Sequence, residues 1–233
     1  MLTHPRPFYV LVVAVFLLAS APVMAGPIVI DSRLHHLRAE AEREWADFPV
    51  TAEGASFSTK FQATKNVGEQ TLRLRQQDVK QTWKVLLNGK ELGRLIPDEN
   101  DQELALPIPA GRLMEGENTL AIEQVGSTPD DIRVGELVLY DRPLSEVFAE
   151  AKVEVVVREE LPGGERVPVP CRLTIQDSHG MLATIGAIST DRLAVRTGVI
   201  YTADGTARFG LRAGEYIIHA GRGFAYSVSS VRV

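Results

Sequence analysis

From Ala55 to Val233 the chain is written in short stretches of alternating apolar and polar residues, each ended by a turn signal. That pattern admits little besides antiparallel β-sheet, because a period of two puts one side of each strand inward and the other outward. Trp83, Val85 and Leu87 alternate with Lys84 and Leu86, then Asn88-Gly89 follows. Both turn residues tolerate the positive φ of a type I′ hairpin, so this is the strongest local signal in the chain. Leu72 and Leu74 alternate with Arg73 and Arg75, and further strands are expected at 104–108, 119–125 and 132–140. Many short strands, each with one apolar face, imply two sheets packed face to face.

A second region of the same kind runs over 151–233, after a hinge at Asp141-Arg142-Pro143. Val153, Val155 and Val157 alternate with polar neighbours, as do Leu173 and Ile175. Turns fall at Leu161-Pro162-Gly163-Gly164, Asp204-Gly205 and Gly214-Glu215. Residues 181–189 are apolar without a clear period and read either as a strand or as a buried loop. The lone Cys171 follows Pro168-Val169-Pro170 and is expected to behave as a buried small hydrophobe, since one thiol closes no internal disulfide.

The segment before these regions differs. His4 and Arg6 precede an apolar run from Phe8 to Ala19, and Val23-Met24-Ala25 supplies small residues for cleavage. Residues 1–25 therefore read as a secretory signal peptide cut near Ala25-Gly26, with a secreted or periplasmic product and no membrane segment after cleavage; the alternative is retention as an uncleaved N-terminal anchor. In the leading segment 26–54, Leu34, Leu37, Ala41 and Trp45 share a helical stripe, which predicts a short N-terminal helix over 31–47. His35 and His36 are neighbours, roughly 100° apart on such a helix, so they do not chelate one ion as an i, i+4 pair would. They are expected to be solvated or packing histidines.

The formal charge of −5 on 233 residues is mild and well mixed, which argues against nucleic acid or an anionic membrane as partner. No Gly-x-Ser-x-Gly motif is present, and the histidines outside the leader, His35, His36, His179 and His219, are too scattered for a catalytic metal centre. The chain is expected not to be an enzyme. The densest oxygen cluster is Asp98, Glu99, Asn100 and Asp101, which suits a structural calcium ion and equally suits a solvated hairpin loop. No other cofactor is expected. Trp83 is tempting as a sugar platform, but its parity assigns it to the core; Trp45, Tyr140 and Tyr201 have equally plausible packing roles. Arg73, Arg75 and Lys84 are candidates for one basic sheet face.

Two resemblances add to this reading. Trp83, Asn88-Gly89, Leu92-Gly93, Pro107 to Pro109 and Gly116-Glu117-Asn118 resemble the central strands of galactose-binding-like jelly-roll modules, which implies that fold over 55–144. Residues 151–233 are similar to the carboxypeptidase-regulatory-like, transthyretin-type (Ig-like) sandwich. More narrowly, Val195-Arg196, Gly198, Tyr201, Asp204-Gly205, Gly214-Glu215-Tyr216 and Gly221-Arg222-Gly223-Phe224 with Tyr226 resemble the accessory region upstream of the catalytic domain in CehA/McbA-type metallohydrolases of the PHP superfamily. That pattern carries a Glu where this chain has Ala225, and the His-x-His of the catalytic part is absent here. The fold class expected is all-β, two sandwiches with a short leading helix. The function expected is binding or scaffolding, with a glycan or a partner protein as target. The alternative is the non-catalytic front of a metal-dependent hydrolase. Oligomeric state is left open.

Overall fold

The computed structural model describes residues 8–15, 26–39 and 43–233. Strand β1 (Phe8–Val15) comes first. Then follow β2 (Ile28–Arg38), β3 (Ser56–Ala63), β4 (Gln70–Gln77), β5 (Trp83–Leu87), β6 (Lys90–Arg94), β7 (Gln102–Ile108), β8 (Gly116–Gln124) and β9 (Asp131–Tyr140), closed by the one-turn helix α1 (Leu144–Val147). The remainder holds β10 (Ala151–Glu160), β11 (Arg166–Pro168), β12 (Cys171–Asp177), β13 (Leu193–Arg196), β14 (Val199–Thr202), β15 (Thr206–Leu211), β16 (Tyr216–Gly221) and β17 (Ser229–Arg232). The chain divides into two compact units, Ala21–Val147 and Phe148–Val233, and β1 belongs to the second. The protein is all-β, and each unit is a β-sandwich.

In the first unit the sheets run β2-β9-β4-β7 and β3-β8-β5-β6, with every strand pair antiparallel. Their inner faces close on one core that includes Leu72, Leu74, Trp83, Val85, Leu120, Ile122, Ile132 and Leu137. The alternation read from the sequence is what the strands bury: Trp83, Val85 and Leu87 are inside, Lys84 and Leu86 only partly so. Asn88 (φ 52°) and Gly89 (φ 74°) make the expected tight turn from β5 to β6.

Two expectations are corrected here. The helix over 31–47 is not formed: residues 28–38 are strand β2, paired with β9, and 43–47 are irregular; residues 40–42 lie outside the described residues. The helical stripe was narrow, and β9 offers this segment a full ladder of backbone hydrogen bonds, which a short isolated helix cannot match. Two register shifts, at Val29/Asp31 and Asp31/Leu34, let an imperfectly alternating segment follow β9. Likewise Arg73 and Arg75 do not share a face with Lys84, because β4 and β5 belong to opposite sheets.

The second unit packs β1-β10-β11, with β15 also on β10, against the five-stranded sheet β13-β14-β12-β16-β17. Its core gathers Val153, Val155, Val157, Leu173, Ile175, Ile200, Phe209 and Ile218. Residues 181–189 form a loop rather than a strand, buried only in its first half: Met181, Leu182, Ala183 and Ile185 are inside, Gly186 bridges Gly210, and Ile188 is exposed. Cys171 is buried, and burial pushes its thiol up to about 11. Of the residues expected to form a leader, Phe8–Val15 is strand β1, antiparallel to β10, while Ala25 of the expected cleavage site lies outside the described residues. No helix among the described residues is long and apolar enough to cross a membrane.

Candidate functional site

The outward parity of the five-stranded sheet in the second unit collects the most ligand-like group of side chains. Inward positions of β12, β14 and β16 carry Leu173, Ile175, Ile200 and Ile218, so the residues between them must face out. Register then decides which of them meet. Arg172 lies opposite Tyr201 on β14 and opposite Gly221 on β16; Thr174 lies opposite His219, and His219 opposite Ser230 on β17. Arg172, Thr174, Tyr201, His219 and Gly221, with Arg222 and Val228, line a cavity of about 660 Å³.

Tyr201 is 45% exposed, which differs from the packing role the sequence suggested for it. Its ring faces the Arg172 guanidinium, 6.0 Å from the ring centroid. Arg222 sits over Tyr226 at 4.9 Å, and one of its nitrogens lies 3.4 Å from the Glu159 carboxylate. Arg172 has no carboxylate partner among the described residues. His219 Nδ1 is 2.7 Å from the Ser230 hydroxyl, which sets the ring's orientation on the sheet. The site therefore offers an aromatic face, two guanidinium forks, an imidazole and hydroxyls, with no carboxylate in its lining. Such a set suits a ligand with an apolar face and a negative charge, since guanidinium binds carboxylate or phosphate oxygens in pairs.

The residues singled out from the sequence lie elsewhere. Asp98, Glu99, Asn100 and Asp101 occupy the turn before β7. Asp98 Oδ1 accepts the Asn100 backbone N–H at 2.9 Å and its side-chain amide at 2.6 Å. Both oxygens of Asp101 accept from Arg75, at 2.8 and 2.5 Å, and Arg75 also reaches Glu136 at 2.7 Å. Among the described residues no three His, Cys, Asp or Glu side chains converge on a point fit for a metal ion. Arg73 is engaged by Glu103 in the same sheet. Trp83 is fully buried, as its parity implied, and its indole N–H donates to Asp130 Oδ2 at 2.8 Å. Trp45 is half exposed, donating to Asp78 beneath Lys80, whose ammonium stands 5.4 Å from the ring. Tyr140 is buried.

His35 and His36 are both buried and point to opposite sides of β2. His35 Nδ1 is 2.7 Å from Glu53 and Nε2 is 3.1 Å from Asp31, while His36 meets Asp131 on β9. The hydrogen bond from His35 holds the Glu53 carboxyl below its ordinary range. Burial pushes Asp31 up, but the Arg33 amide and His35 together outweigh it and leave Asp31 lowered. Asp78 goes the other way: burial dominates and raises it despite Lys80 and Trp45. This network fastens the leading segment to the first sandwich; it is the polar counterpart of its core.

No family model matches the chain, and no curated protein sequence matches it. Solved structures do show a likeness. A GH2 beta-galacturonidase from Eisenbergiella tayi bound to glycerol matches at 14% identity and a TM-score of 0.30, over 94% of this chain and 44% of that one. A Faecalibacterium prausnitzii beta-glucuronidase matches at 14% identity and 0.30, over 93% and 47%. A Ruminococcus gnavus beta-glucuronidase matches at 10% and 0.33, over 93% and 46%. The chain spans less than half the length of these structures.

Proposed function

We propose that this is an exported, non-catalytic binding protein whose second sandwich holds an acidic saccharide, a uronic-acid unit, on its outer sheet face. The observation that carries the reading is the meeting of Tyr201, Arg172, His219 and Arg222 in one cavity of about 660 Å³, a size that accepts one or two sugar rings. The ring face takes the C–H face of the sugar, Arg172 takes the carboxylate, and Thr174 and His219 serve hydroxyls. The lining lacks the pair of carboxylates that glycoside hydrolysis requires, which supports binding over cleavage at this site. Export is supported by the basic, apolar and small-residue order of residues 1–25.

Titration of the protein with a uronic-acid oligosaccharide and with its neutral analogue of the same linkage, read by NMR or calorimetry, tests the reading. Millimolar or tighter binding of the acidic sugar is expected, weakened at least tenfold by Arg172→Ala and by Tyr201→Ala and by raised salt. Silence at millimolar ligand, or equal binding of the neutral analogue, refutes it. The narrower assignment as the accessory region of a PHP-type metallohydrolase rests on the resemblance at Gly198, Asp204-Gly205 and Gly214-Glu215-Tyr216. Coding sequence beyond the Val233 codon tests it: a His-x-His segment in frame supports it, and unrelated sequence removes it.

A further inference from the structure

Strand β10 is the spine of its sheet, and one of its two edges is held only by β1. On one side β15 pairs with Ala151 to Val156 and β11 with Arg158 to Glu160. Val157 shows which backbone groups serve that side: its N–H donates to Gly205 O at 2.8 Å and its carbonyl accepts from Val169 N at 3.2 Å. Backbone direction alternates along a strand, so Lys152, Glu154, Val156, Arg158 and Glu160 aim their N–H and C=O groups at the opposite edge. There all eight residues of β1 are in register, from Phe8 on Glu159 to Val15 on Lys152. β1 lies within the export leader of the proposed function, so cleavage near Gly26 removes it and leaves a ten-residue edge with its ladder groups unpaired.

We propose that this edge then pairs with the same edge of a second copy, antiparallel about a two-fold axis at Val156. The sequence of β10 is complementary to itself in that register. Val156 meets Val156 of the second copy and exchanges both backbone hydrogen bonds with it. On the same outward face Glu154 meets Arg158, and Lys152 meets Glu160, each contact occurring twice by symmetry. On the near side Glu154 already bonds Arg208 at 2.8 Å and Glu160 bonds Arg166 at 3.2 Å. Each carboxylate would then lie between two cations in a charge ladder across the joined sheet. Opposite charges at these four rungs favour this register over a one-residue slip, which would also turn the valines outward. The leader would thus cover the edge until export is complete and prevent premature pairing.

This inference rests on the export reading, and one experiment separates the two. The full gene is expressed in a secreting host, the exported protein is purified, its N-terminus is read by mass spectrometry, and its mass is followed by sedimentation across about a hundredfold dilution. The expected result is an N-terminus near Gly26 and a concentration-dependent dimer. Arg158→Glu, which sets carboxylates opposite Glu154 twice over, raises the dimer dissociation constant at least tenfold, and the charge-swapped double variant Glu154→Arg/Arg158→Glu restores it. Val156→Pro, which removes an edge-facing N–H and leaves the β15 side intact, abolishes the dimer with the circular dichroism unchanged. A processed protein that stays monomeric, or a dimer indifferent to Arg158→Glu and Val156→Pro, overturns the pairing while leaving export standing. An intact N-terminus on the exported protein refutes cleavage of the leader and the open edge with it, and absence of the protein from the exported fraction refutes export.

Discussion

Replacing Asp130 by alanine should cost the first sandwich more than any other single polar change at its end. Asp130 is 4% exposed, and its Oδ2 accepts three donors: the Trp83 indole N–H at 2.8 Å, Gln81 N–H at 2.9 Å and Lys80 N–H at 3.3 Å. Trp83 is completely buried, so its N–H finds no water once the carboxylate is gone. A buried donor left without an acceptor costs about 1–3 kcal/mol. Two well-made bonds are lost, and removing a buried charge returns part of that, so the net loss should be about 3 kcal/mol. With a urea slope of about 2 kcal/mol/M, the midpoint falls by about 1.5 M. Both tryptophans, Trp45 and Trp83, lie in the first unit, so tryptophan fluorescence follows that unit's unfolding alone. Asp130→Asn keeps one acceptor oxygen and should cost roughly half as much. Combined with Trp83→Phe, which deletes the donor, Asp130→Ala should show a coupling of about 1–2 kcal/mol. A midpoint shift below about 0.3 M for Asp130→Ala, or strict additivity with Trp83→Phe, refutes the assignment of Asp130 as the acceptor that makes a buried tryptophan tolerable here.

Other positions give independent tests. Gly205 has φ +77°, and a Cβ there would stand 2.7 Å from the Val157 carbonyl oxygen and from Val169 N and O. The left-handed backbone alone costs a side chain about 1–2 kcal/mol, so Gly205→Ala should destabilise the second unit by more than about 2 kcal/mol in a urea melt followed by circular dichroism. With its thiol raised to about 11, Cys171 is about one part in a thousand thiolate at pH 8, and iodoacetamide should label the folded protein about a hundredfold more slowly than the unfolded chain. Glu53 and Asp31 have folded pKa values below their unfolded ones, so their contribution is fully present above the ordinary carboxylate range and is lost as pH falls through the lowered values. Asp78, raised by burial, has the opposite sign and favours the folded state as it protonates. Glu53→Gln should therefore flatten the acid limb of the first unit's stability profile, measured by melting temperature from pH 5 to pH 2.5, and Asp78→Asn should steepen it.

The contrast between what was and was not legible in the sequence follows a physical line. The burial of Trp83, Val85 and Leu87 is legible because it is a property of each side chain's solvation and a strand repeats it every second residue. Asn88-Gly89 was legible because positive φ is a local demand. Strand β2 was not, because its fate is set by β9, about a hundred residues later in the chain; Leu34, Leu37 and Trp45 keep a helical spacing that the ladder to β9 overrides. The candidate site of the second unit is illegible for the same reason in another form. Arg172, Tyr201 and His219 each sit at an outward position that parity alone identifies, between inward Leu173, Ile200 and Ile218. What makes them one site is that β12 runs between β14 and β16, so that Arg172 falls beside Tyr201 and Thr174 beside His219. Inward residues announce themselves through solvation, whereas outward ones acquire a role only through strand order and register. In a sandwich the core is therefore written locally, while a ligand face is written in the pairing of segments that the linear chain keeps apart.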